Sequence, residues 1–178
     1  MTIEIALLQR MSVFLGHPVY SLSIVLFSII LSTGLGSVIS DRFPLNTSGK
    51  LVLWAALTGA YFLLLPFFLP GITLAFDGAS LPMRALWSVL LIAPGGMLMG
   101  WGFPTGMRLV ARVDGKPTPW FWGVNGASGV LASSMAVGIS IALGITATMI
   151  IGALCYLALI PAALAMYAEG TKAYRKAA

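Results

Sequence analysis

Side chains able to do chemistry are few in this chain, and they do not cluster. His17 is the only histidine, Cys155 the only cysteine, and there are five acidic residues in all. A single imidazole, with no cysteine or carboxylate at ligand spacing, does not make a metal site. No metal ligand and no catalytic residue is assigned. His17 precedes Pro18 at the edge of a long apolar run, where it reads as a helix-start residue. The cofactor role open to it is axial contact with a haem or chlorophyll centre. Cys155 lies deep in another apolar run, and one cysteine permits no intrachain disulfide.

Backbone chemistry is the other possibility. Ala93-Pro94-Gly95-Gly96 sits in the middle of an apolar segment. Proline removes a helix hydrogen bond and glycine loosens the backbone, so a kink or break is expected at Pro94, Gly95 and Gly96. A helix broken at the bilayer midplane could offer its dipoles to a solute. The plainer reading is a kink whose freed carbonyl is satisfied by a neighbouring helix. Pro66 and Pro70 are read the same way. Asn125 follows Trp120-Phe121-Trp122. The tryptophans read as an interfacial belt and Asn125 as an interhelical hydrogen-bond donor.

The elements that must position these residues are membrane helices. The chain is 59% hydrophobic and 8% charged, where a soluble domain carries about a quarter charged residues. Roughly 20 apolar residues in helical form cross a bilayer core. Five stretches meet that length, at about 17–39, 51–76, 83–107, 120–142 and 145–167. The fourth and fifth are joined only through Leu143-Gly144 and must form an antiparallel hairpin. Continuous apolar runs, without the alternation of a membrane barrel, make the expected fold all-α: a polytopic transmembrane helix bundle in a single membrane domain. The connections Asn46-Thr47-Ser48-Gly49 and Asp114-Gly115-Lys116-Pro117 have turn-forming compositions. Asp41-Arg42 and Asp114 read as loop charges, and no Asp or Glu falls in the interior of a span.

Positive charge sets the expected orientation. Arg42, Lys50, Arg108, Arg112, Lys116, Lys172, Arg175 and Lys176 fall on one side; Arg10 and Arg84 fall on the other. By the positive-inside rule the cation-rich side is cytoplasmic, with the N-terminus out and residues 168–178 a cytoplasmic tail. The net charge of +5 is scattered through short loops, which favours membrane orientation over nucleic-acid binding. No secretory signal peptide is visible, and the expected location is a bacterial inner membrane. Residues 1–16 are too short to span. Glu4, Gln9, Arg10 and Ser12 fall all round the helix, so this segment is expected to be interfacial, re-entrant or partial, or packed against another protein chain.

Small residues recur at helical spacing: Gly34 and Gly36, Gly96 and Gly100, Gly102 and Gly106, then Gly126, Gly129, Ser133, Ser134 and Gly138. In lipid, helices associate by close backbone approach, so these positions are candidates for packing within the bundle or for docking a partner.

Several of these segments resemble a known family. Ile3-Glu4-Ile5-Ala6-Leu7-Leu8-Gln9-Arg10 and Phe14-Leu15-Gly16-His17-Pro18-Val19-Tyr20-Ser21-Leu22 look like the membrane region of spermidine synthase-like integral membrane proteins. So do Gly34-Leu35-Gly36-Ser37, Gly102-Phe103-Pro104 and Pro119-Trp120-Phe121-Trp122-Gly123-Val124-Asn125-Gly126-Ala127. In that family a membrane bundle accompanies an aminopropyltransferase-like domain that handles decarboxylated S-adenosylmethionine. This chain has no strand followed by a glycine-rich turn and no acidic cluster, so the resemblance carries over no catalytic residue. It implies a shortened membrane module without the enzyme domain, with residues 3–15 corresponding to the end of a longer helix.

The resulting expectation is a non-enzymatic accessory subunit of a larger membrane assembly. Its partners are membrane lipid and other membrane subunits, without nucleic acid. Bound lipid is expected, with pigment or haem contact open at His17. The alternatives are a small-solute, polyamine-like carrier and a membrane anchor for a separate aminopropyltransferase-like chain.

Overall fold

Two residues turn the first helix back on itself. Gly16 adopts φ 80°, a left-handed conformation that a side chain disfavours, and its N–H closes the last turn of α1 (Thr2–Leu15) on the Val13 carbonyl. His17 then caps α2 (Pro18–Arg42), with proline at the first helical position where no N–H is needed. This computed structural model describes residues 1–112 and 116–177, with side chains to residue 172. Asp114 and Gly115 lie outside the described residues.

The remaining helices are α3 (Ser48–Ala75), α4 (Leu81–Gly100), α5 (Gly102–Ala111), α6 (Thr118–Leu143) and α7 (Ile145–Ala177). Among the described residues, five helical stretches are long and apolar enough to cross a membrane, α4 and α5 together forming one of them. The hairpin expected at Leu143-Gly144 is present. Gly144 takes φ 90°, and the Ser140 and Thr148 hydroxyls lie 2.9 Å apart across the turn. Thr47 caps α3, accepting from the Lys50 N–H at 3.3 Å. Helix α7 continues to Ala177, so most of the expected tail is helical.

Helix α1 is 14 residues long, about 21 Å, short of a bilayer core of about 30 Å. Its buried residues Ile3, Ala6, Leu7, Met11, Phe14 and Leu15 form one stripe at helical spacing. That stripe packs on α2, α7, α6 and α4. Residues 2–15 are thus a short helix seated in its own bundle, a placement not among those expected for this segment. It carries Glu4 inward as well: the carboxylate is 17% exposed and lies 3.3 Å from the Met1 ammonium.

The bundle is built on two closely packed pairs, α2 on α4 and α3 on α7, with α1 wedged between them. On α2 the buried residues Ser28, Ser32, Gly36 and Ser40 recur every fourth position. Ser28 and Ser32 turn their hydroxyls back to the carbonyls of Ile24 and Ser28, both at 2.5 Å. That satisfies the donors and keeps the helix surface thin. Gly96 and Gly100 of α4 settle on this strip. A Cβ at Gly96 would meet Ser32, and one at Gly100 would lie 2.8 Å from the Ser37 nitrogen.

Helix α4 is not broken at Pro94-Gly95-Gly96; it runs uninterrupted from Leu81 to Gly100 and gives way at Trp101. The physical reason is lateral support. The Tyr61 hydroxyl donates to the Leu91 carbonyl, next to the Leu90 carbonyl that proline deprives of its helical donor. Gly95 lies under the Tyr61 and Phe62 rings, where a Cβ would come within 2.7 Å of both. Pro66 and Pro70 likewise sit inside a continuous α3.

Candidate functional site

The positions singled out in the sequence fall into distinct environments. Gly36, Gly96 and Gly100 are closed inside the α2–α4 interface. Gly102 lies against the Trp54 ring, whose Nε1 donates to the Leu98 carbonyl at 2.8 Å. Gly129 turns inward, a Cβ there meeting Met1 Cγ at 3.4 Å. By contrast Gly34, Gly106, Gly126 and Gly138 face open space, with no heavy atom within 4 Å of a Cβ.

His17 spends a ring nitrogen on structure. The Val19 N–H donates to its Nδ1 at 3.2 Å, and Tyr20 packs edge-on with ring centroids 5.9 Å apart. A neutral imidazole that accepts at Nδ1 carries its proton on Nε2, so capping and axial ligation through Nε2 require opposite tautomers. Among the described residues no group of three His, Cys, Asp or Glu stands close enough to hold a metal ion. Cys155 faces outward.

One end of the bundle gathers the basic residues. Arg108 of α5 donates to Asp41 at 2.8 Å and reaches the Ser40 and Thr105 hydroxyls, each at 3.3 Å. Asp41 is therefore not a loose loop charge; it ends α2 and ties it to α5. Because the Asp41 side chain is 76% exposed, Asp41→Asn is expected to cost under about 1 kcal/mol. Melting in detergent at low and high salt checks this, the difference between variant and parent shrinking as salt rises.

Helix α6 stands apart. Only 6% of its most apolar window is buried, against 44% for α3, and Ala136 is its one buried residue. Four of its exposed small residues share a face, together with Val130 and Ile141, while Gly126, Ser128 and Ala142 lie elsewhere. Gly123, Ala127, Ser134 and Gly138 are all exposed, and at about 100° per residue they fall within one sector of the helix. Asn125 is exposed too, and among the described residues its side chain has no hydrogen-bond partner. The expected interhelical bond is thus not made among the described residues.

The sequence reading missed Gly123 and Ala127, although their four-residue spacing repeats that of Ser134 and Gly138. Gly129, a candidate for packing or docking, packs within the bundle. Comparison with protein-family models, curated proteins and solved structures found no match for this chain.

Proposed function

We propose that this integral membrane protein is a non-enzymatic subunit of a larger membrane assembly and that α6 seats it on a neighbouring membrane polypeptide. The observation that carries the reading is the small-residue sector Gly123, Ala127, Ser134 and Gly138, exposed along a helix that buries almost nothing. In lipid the Gly123–Ala127 and Ser134–Gly138 pairs, on either side of the bulkier Val130, would let a second backbone approach closely. Asn125 falls about 200° round the helix from Gly123, on the opposite face, and takes no part in this sector.

The resemblance to the membrane region of spermidine synthase-like proteins supports the same reading: a module that works beside other polypeptides rather than as an enzyme. The basic end faces the cytoplasm of a bacterial inner membrane on this view, in accord with the positive-inside bias. A carrier working at a Pro94 break is less favoured, because α4 is continuous there.

Purification in a mild detergent, followed by native mass analysis, tests the proposal. The chain is expected to leave the membrane with another polypeptide. Placing leucine at both Ala127 and Gly138 is expected to lower retention of that partner at least about tenfold. The thermal melt should not change, because both positions are exposed. Recovery of the unaltered chain only as a partnerless monomer would sink the idea.

A further inference from the structure

At the basic end, α5, α6 and α7 leave an open groove of about 410 Å³, within the size range of small-molecule sites. Val110 of α5, Pro117 just before α6, Phe121 of α6, and Ala165, Met166 and Ala168 of α7 form its apolar walls. Glu169 also lines it, with its carboxylate accepting from Lys172 at 2.7 Å. An acyl chain gains little by leaving bulk lipid for such walls, since lipid tails are as apolar as leucine. Any selectivity must come from the polar groups at the mouth.

One described cation, Arg112, flanks the groove without lining it. Arg112 closes α5 two residues after Val110, and its stem lies over Gly170 of α7, where a Cβ would meet Arg112 Cβ at 3.4 Å. Arg112 is exposed, and among the described residues it has no hydrogen bond or ion pair. The described acids at this end are already engaged, Asp41 with Arg108 and Glu169 with Lys172. Helix α6 also starts here, directly after Pro117, and a helix start carries partial positive charge.

We infer that the groove holds one anionic glycerophospholipid, with an acyl chain against Phe121 and Ala165 and its phosphate at Arg112. A zwitterionic lipid brings its own ammonium to the same spot and cancels part of the attraction. A single surface cation discriminates by roughly fivefold.

Native mass spectrometry of the purified full chain can read this directly. The protein is exchanged into equal amounts of phosphatidylglycerol and phosphatidylcholine carrying identical palmitoyl and oleoyl chains. Roughly fivefold preferential retention of phosphatidylglycerol is expected. Arg112→Gln should bring the two lipids to parity. Ala165→Phe, which fills the groove and leaves the charges in place, should abolish retention of both. Circular dichroism melts identify any variant that has lost its fold, and the unaltered chain remains a test by itself. Equal retention of the two lipids by that chain would overturn the assignment. So would a preference that survives both substitutions, or a polypeptide occupying the groove instead.

Discussion

Gly100→Ala is expected to destabilise the protein by about 2 kcal/mol, while Gly34→Ala leaves it unchanged or stabilises it by up to about 0.5 kcal/mol. Both glycines lie inside apolar helices, and both substitutions add one methyl group to a better helix former. Only the surroundings differ. At Gly100 the new carbon would lie 2.8 Å from the Ser37 nitrogen and 2.9 Å from the Gly36 Cα, with the Thr33 carbonyl closer still. These are backbone atoms, which no rotamer change can move aside, so α4 must back away from α2 along its length. At Gly34 nothing stands within 4 Å. Unfolding titrations in mixed micelles would separate the two, and similar losses from both substitutions would contradict the α2–α4 packing.

The second large effect concerns Arg84. Carrying α1 on as a helix would require residue 18 to donate to the Phe14 carbonyl, but residue 18 is proline. Arg84 of α4 supplies the missing donor, its Nη1 lying 2.9 Å from that oxygen. A cation at a helix C-terminus is also favoured by the helix dipole. Arg84→Met is therefore expected to cost about 2 kcal/mol, the usual worth of a charged hydrogen bond, and to loosen α1 before the rest of the bundle. Arg84→Lys should keep more than half of that stability. It retains a charged donor and removes the guanidinium Nε, which is buried without a partner. Hydrogen exchange resolved to α1 would show the effect, and unchanged α1 protection in Arg84→Met would refute it. Arg84 thus has a structural reason to sit on the side of the bundle that carries few cations.

How much of this was legible in the sequence follows from what lipid does to sequence patterns. Span number and the Leu143-Gly144 hairpin could be read because length and hydropathy belong to each segment alone. The capping role of His17 was readable for the same reason, since Pro18 marks the helix start. Which face of a span turns inward was not readable, because lipid-facing and protein-facing sides are equally apolar. Gly34 and Gly36 look alike in the sequence, yet one is open and the other pressed against the Met97 backbone. Pro94 carried a real local signal for a break. Support from Tyr61 and Phe62, more than 30 positions away in the chain, is a tertiary fact that the segment itself does not contain. The polar residues of α1 suggested an interfacial helix because a bundle interior able to receive them cannot be seen one segment at a time.

The seating of α1 also sets an order of events during synthesis. Ile3 packs against Gly152 of α7, and Met1 approaches Gly129 of α6. Helix α1 therefore completes its berth only after the final hairpin has been inserted. Until then the stripe has only its α2 and α4 neighbours, and Ile3 waits for Gly152. Assembly of this small bundle is gated by translation of its far end, and chains halted before α7 should be the ones that membrane proteases clear.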